Sequence, residues 1–549
     1  MLQRESLWAI EARYQDGTDR VTLQNLVKAF KGIQKLPPDS PNSFFLISGF
    51  HGMPFRGPGV TDGDAWWGGY CHHADVLFPL WHRAYVLRLE NALRSVPGCE
   101  NVRLPYWDQF FGFEGRKPTP PTTPITTTIP TILTALTFEG EPNPLYSYTF
   151  QEGFKDQVKG ENERYSKPVG YVTTRYPLSG LVGTEADREA TKVHNAGFAD
   201  PATNAKILNG NVGNWLTGHV DIPDDDAHTP RPNDVTSVYE RYLKCLKAPN
   251  YTVFSNTTSQ SDYNSKRPPP AQLAVSLESP HNAIHLAVGG FYQKGVFNAS
   301  PVRGANGDMG CNETAGFDPI FFFHHCFVDY VFWKWQELHD STTQIKFDDT
   351  YQGTKTEVGY PVPDGAPGPE MPAGTLLTLE TPLYPFLTHD GETYFKSKDV
   401  IDVTKLGYGY GPGSLDTIIG GREPGVPHHF PFGFPSEEVP IIQKISGINS
   451  ADYWGSYVVR LYGYVKGKKV EVGREAVLSR LKLSDCPNCE THLEKEFFIP
   501  LHKDLIDRNV LEKEEGGNYR TSVGIHTYDR ERFPEDEPGR GKVPVVTPL

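Results

Sequence analysis

The chain has 549 residues, more than one ordinary core organises, and its length indicates roughly two to four domains. Its 53 basic residues are outnumbered by 67 acidic ones, for a net charge of −14. That balance argues against a nucleic-acid or anionic-membrane partner, each of which needs a basic footprint. No apolar run reaches the roughly 18 residues of a membrane span. The first residues, MLQRESLWAIEARYQ, contain no apolar core and no small-residue cleavage site. With seven cysteines, too sparse for a disulfide scaffold, the expectation is a cytoplasmic protein with reduced thiols.

In chain order, residues 1–110 read as largely helical. In VTLQNLVKAFKGIQKL, Leu23, Leu26, Val27 and Phe30 recur at helical spacing until Pro37-Pro38 stops the run. The Pro/Thr-rich stretch 118–131 suits neither a helix nor a central strand and reads as a surface insertion. Residues 150–275 are mixed and rich in turns, and strong helical segments follow at 280–288 and 319–338. Residues 411–450 are Gly/Pro-rich and form the expected linker. Beyond it, residues 451–549 change to period-two runs (SYVVRLYGYV, KKVEVG, EKEFFIPL, YRTSVGIHTY), which predict a small β-sandwich.

Four histidine-bearing segments carry chemistry. His51 is followed by Gly52, which lets a helix end and the backbone turn. His73 and His82 are nine apart, on opposite faces of one helix at about 100° per residue. They converge only if His73 lies in a loop before the helix that bears His82. His281 and His285 are four apart, on one helical face, with Ser279 and Pro280 as N-cap and first-turn signals. His325 and Asp329 fall one turn apart in an almost wholly apolar helix that opens on Asp318-Pro319. Buried there, they need partners. Asp329 can orient a ring or anchor an arginine. Packed core histidines are the competing reading for each segment. Together the segments offer three histidines before residue 90 and three after 280. Imidazole suits zinc, copper, iron and nickel alike. The scarcity of carboxylate ligands disfavours di-iron bundles, and six histidines disfavour hydrolytic zinc, so copper is favoured.

The segments CHHADVLFPLWHRAY and Asp318-Pro319-x-Phe-Phe-x-x-His325-x-x-x-Asp329 resemble the two copper motifs of the tyrosinase/hemocyanin family of type-3 copper proteins. The chain also resembles the long-form latent tyrosinases of fungi. It implies a mainly α catalytic domain at 1–410, a four-helix bundle around a dicopper site, followed by a β-sandwich lid. Copper A would be held by His51, His73 and His82, and copper B by His281, His285 and His325, with His324 a non-ligand. Cys71 matches the partner of a thioether to His73. Tyr408-Gly409-Tyr410 looks like the tyrosine motif that closes the catalytic domain, with Arg4 its partner. Where the family pattern has an arginine after the aspartate, this chain has Tyr330. Asp329 must therefore find its partner elsewhere.

The resemblance implies small phenols and O2 as substrates, two copper ions as cofactor, a homodimer, and an activating protease as partner. Glu278 and Asn282 match residues that hold a proton-accepting water in enzymes that hydroxylate monophenols. Asn312 falls near the position that gates copper A. Catechol oxidase, o-aminophenol oxidase and an oxygen carrier are the alternatives. For the lid, Val477, Leu478, Phe497 and Phe498 are candidate plugs of the cleft. Cys486 and Cys489 resemble a copper-delivery pair, since thiolates bind Cu(I) readily.

Overall fold

In a computed structural model of the chain, the described residues are all except 1, 53–68, 112–126, 156–164, 219–236, 268–272, 291–301, 303, 357–373, 389, 420–439, 454, 480–491, 502, 508 and 528–543. The N-terminal three-quarters is helical. Helices α1 (Leu7–Asp16), α2 (Val21–Gln34), α3 (Phe44–Gly49) and α4 (Phe78–Arg94) come first. After them come α5 (Pro201–Thr217), α6 (Val238–Cys245), α7 (Thr257–Ser265), α8 (Glu278–Gly289) and α9 (Ile320–Leu338). Helix α2 buries Leu23, Leu26, Val27 and Phe30, as its spacing predicts. Every residue of α8 is buried, and nearly all of α9, so both helices run through the core rather than over it. Residues 95–110 carry no helix, so the helical reading of the first 110 residues stops at Arg94.

The helix starts differ slightly from expectation. Helix α8 begins at Glu278, which puts Ser279 inside its first turn rather than at the cap. Asp318 precedes α9, accepting the Ile320 N–H at 3.2 Å, but its main bond is to buried Arg175, whose Nη2 approaches to 2.6 Å.

Asp329 finds its partners through tertiary structure. Its carboxylate takes Arg83 Nε of α4 at 2.5 Å, Arg4 Nη1 at 3.1 Å, and the hydroxyls of Tyr408 and Tyr410. Strand β1 (Gln3–Arg4) pairs in parallel with β2 (Gly409–Tyr410), and the Arg4 guanidinium lies 3.6 Å from the centre of the Tyr408 ring. Burial alone would push the Asp329 carboxyl up, but Arg83 and Arg4 hold it below the ordinary aspartate value. Both ends of the helical region are thereby tied to α9.

Among the described residues, the C-terminal region forms two three-stranded antiparallel sheets. In one, β3 (Ile442–Asn449) lies between β6 (Glu494–Pro500) and β8 (Val545–Pro548). In the other, β4 (Tyr457–Val465) lies between β5 (Lys468–Val477) and β7 (Thr521–Thr527). Ile445, Ile448, Val459, Leu461, Val470, Val472 and Ile499 from both sheets share one core, a sandwich. Val458 and Ala476 point the other way and join the core of the helical region. Strand β3 falls within the stretch expected as linker, so the sheets begin earlier than the period-two runs indicate. No helix among the described residues is long and apolar enough to cross a membrane.

Candidate metal centre

His51 follows α3, and its Nδ1 lies 3.0 Å from the backbone carbonyl of Asn312. Gly52 permits that approach, because a Cβ there would sit 2.5 Å from the Glu313 carbonyl oxygen. His73 does lie in the loop before α4. That loop is braced by His72 Nδ1 to Asp75 Oδ2 at 2.9 Å and by the Leu77 N–H to Asp75 Oδ1 at 2.7 Å. Ala74, in the left-handed region at φ +60°, donates its N–H to Glu278 Oε1 at 2.9 Å. His82, in the first turns of α4, directs Nδ1 to the Phe78 carbonyl at 2.8 Å.

On the other side, His285 Nδ1 meets the Met309 carbonyl at 2.9 Å, and His281 Nδ1 meets Asn282 Oδ1 at 3.0 Å. An oxygen of this kind only accepts, so each such Nδ1 carries the proton and each Nε2 keeps its lone pair for a metal. The ring centres of His51, His73 and His82 lie 5.2–5.6 Å apart. Those of His281, His285 and His325 lie 4.5–5.3 Å apart. His82 stacks on His325 at 4.6 Å, which joins the two trios. His324 belongs to the same cluster, stacked on His281 at 5.3 Å, with Gln109 Nε2 2.8 Å from its Nδ1.

Burial holds His82 down to about 3 and His285 to about 4. Burial, with neighbouring imidazoles, pushes His281 and His325 well below the ordinary histidine value. All four rings are therefore neutral at physiological pH, the form that binds a metal.

The remaining predicted residues gather around this cluster. Cys71 Sγ lies within 4.8 Å of the ligand nitrogens of His51 and His73, and the Asn312 amide nitrogen is 3.6 Å from that sulfur. Glu278 Oε2 accepts from the backbone N–H and hydroxyl of Thr257 at 2.9 and 3.0 Å. Burial raises the Glu278 carboxyl above its ordinary value despite these bonds and the nearby Lys495. A cavity of about 420 Å³ opens beside the cluster, lined by His73, Glu278, Asn282 and Asn312 below and by Val477, Leu478, Phe497 and Phe498 above. Cys486 and Cys489 lie outside the described residues. Sequence reasoning missed the carbonyls of Phe78, Met309 and Asn312 and the side chain of Gln109. Backbone carbonyls carry no residue signature, and Gln109 is joined to its histidine only by tertiary folding.

Residues 41–338 match the model of the common central domain of tyrosinase. The chain belongs to the tyrosinase family. It is 43% identical over 528 residues to tyrosinase HcTyr2 of Hahella sp., covering 93% of this chain and 90% of that one. The solved tyrosinase of Burkholderia thailandensis at low pH shares the fold over the full length of both chains, with a TM-score of 0.76 and 38% identity. A mutant pro-tyrosinase of Aspergillus oryzae shares the fold alone, covering 96% of this chain and 94% of that one, with a TM-score of 0.59 and 18% identity.

The tyrosinase family carries a type-3 dicopper centre, and the residues here fit it. His82 Nε2 is buried without a hydrogen-bond partner among the described residues. His325 Nε2 lies 3.2 Å from His281 Nε2 and 3.1 Å from His285 Nε2. Each of these two separations suits a pair of imidazole nitrogens about 2.0–2.1 Å from a common ion. The protein is a copper-dependent phenol oxidase of the tyrosinase type.

Proposed function

We propose that this chain hydroxylates monophenols and oxidises the resulting o-diphenols to o-quinones. In this reading copper A sits on His51, His73 and His82, and copper B on His281, His285 and His325. The observation that carries it is the gathering of these six histidines in overlapping clusters beside a cavity: His281, His285 and His325 with His324, His51 and His82 with His325, and His51 and His73 with Cys71. The bound copper pair supplies the binding and reduction of O2. Alanine substitution of any of the six should lower copper from two ions per chain to one or none. Two full equivalents in His285→Ala would refute the assignment.

Monophenol hydroxylation needs the phenol proton removed, and an ordinary phenol has a pKa of about 10. Glu278 can assist through a water. A carboxylate offers about four lone-pair positions, and Ala74 and Thr257 occupy three of them. Asn282 uses its oxygen on His281 and keeps its NH2 group for the same water. Glu278→Gln should lower the ratio of monophenol to diphenol turnover; an unchanged ratio would leave an o-diphenol or o-aminophenol oxidase as the better reading. The hold of Glu278 on Ala74 and Thr257 favours that alternative.

In the same reading Cys71 forms a thioether with His73, an S–C bond replacing S–H and a ring C–H with O2 as the two-electron oxidant, which intact mass would show as a loss of two hydrogens. Asn312 faces substrates entering at copper A. The C-terminal sandwich is a lid, with Val477, Leu478, Phe497 and Phe498 forming the apolar roof of the cavity. The pro-form of the Aspergillus oryzae structure is consistent with latency. Proteolysis between 411 and 450 should raise phenol oxidation. A full-length chain as active as the trimmed one would remove the lid role.

A further inference from the structure

The sandwich reaches the helical region at more than the cavity roof. Glu475, on β5, sends its carboxylate across the boundary. Oε2 pairs with Arg241 Nη1 of α6 at 2.7 Å, and Oε1 accepts from Ser279 Oγ at 2.6 Å. Arg241 Nη1 also donates to Ser279 Oγ at 3.2 Å, which closes the triangle, and Arg241 Nη2 donates to the Arg474 carbonyl. The Arg241 and Glu475 side chains are 7% and 14% exposed, so water does little to weaken the pair.

Ser279 is the second residue of α8, and the helix has no side-chain cap of its own. Its hydroxyl donates once and accepts once within the triangle, so it is committed to these partners. It stands between Glu278, which holds the His73 loop, and His281, one turn before His285. The first turn of α8 is thus fixed from two sides, by Glu278 toward copper A and by Ser279 toward the C-terminal sandwich.

We propose that Glu475 is a positioning residue for copper B: through Ser279 and Arg241 it fixes the first turn of α8, so the C-terminal domain braces the copper B helix as well as roofing the cleft. The proposal rests on the assignment of His281 and His285 to copper B. It gives domain removal two opposing consequences. The cleft opens, but Arg241 loses its buried partner and α8 loses an anchor.

A second lid carboxylate provides the control. Glu496, on β6, accepts from Ser261 Oγ through its carbonyl at 2.7 Å and from Ser265 Oγ through Oε2 at 2.5 Å. Those serines lie one and two turns beyond Thr257, the α7 residue that holds Glu278, and α7 carries no candidate ligand. The full-length copper-loaded chain would be challenged with a Cu(I)-specific chelator and the release of each ion timed. His285→Ala, retaining copper A only, identifies the phases. If it retains both ions, the ligand assignment fails rather than the brace.

With one ion retained, Glu475→Gln and Ser279→Ala should each speed the copper B phase about tenfold, the scale on which groups orienting a ligand act. The copper A phase should change less than the copper B phase, Glu475→Asp should restore part of the loss, and Glu496→Gln should release both ions at the parental rate. Ser279→Ala keeps the Arg241–Glu475 pair, so it carries the test even if Glu475→Gln folds poorly. Parental release in Ser279→Ala would overturn the brace. So would equal acceleration by Glu496→Gln, which would mean that the domain merely shields the metal.

Discussion

His281 and His285 sit one turn apart on α8, so the helix places both rings on one face; the Met309 carbonyl orients His285, and His325 joins them from α9. His51, His73 and His82 come from the end of α3, a loop and the start of α4, and contacts with distant residues aim the first two. The copper B half is largely written into local backbone geometry. The copper A half depends more on tertiary contacts, Asn312 for His51 and Glu278 for the loop of His73, with Asp75 bracing that loop from within. Damage to such contacts should therefore fall first on copper A, unless it reaches a group that serves both halves.

Asp329 is such a group, since it joins α9, bearing His325, to Arg83 on the helix that bears His82. Asp329→Ala should destabilise the chain by about 3–5 kcal/mol, because buried Arg83 loses its counter-charge, while Arg4 keeps its ion pair with buried Glu90. Thermal or denaturant unfolding would show it. A loss below about 1 kcal/mol would mean that the two halves are held together some other way.

The contrast is sharpest at Asp75. Asp75→Asn weakens the brace of the His73 loop and leaves α8 untouched, so copper A affinity should fall about 10–100-fold with copper B retained. Titration of the metal-free chain with copper would separate the two sites. Equal weakening at both would contradict the asymmetry.

Acid provides the gentlest probe. The Asp329 carboxyl is held below its unfolded value of about 3.9. Its contribution to stability is therefore complete above that value and is lost as pH falls through the depressed one. Melting temperature should carry no Asp329 component between roughly pH 5 and 7 and should gain one below about 4. The Asp329→Ala chain should lack that component.

The same division governs what the sequence discloses. His281 and His285 are legible because four residues make one helical turn. The nine-residue gap from His73 to His82 shows only that a loop must intervene; the family motif supplied the rest. Asp329 visibly needed partners, but Arg83 and Arg4 stand 246 and 325 residues away, beyond the reach of any local pattern. Ser279 has the chemistry of an N-cap and is used instead by Glu475, 196 residues on. Strand β3 reads as linker because its Gly/Pro-rich approach hides where pairing with β6 and β8 begins.

Copper analysis of the purified chain, with oxygen uptake recorded first with tyrosine and then with catechol, tests the account most directly. Two coppers per chain and oxygen consumption with both phenols is the predicted result. Fewer than two coppers in a fully loaded sample, or no oxygen uptake with either phenol even after the C-terminal domain is removed, would contradict it.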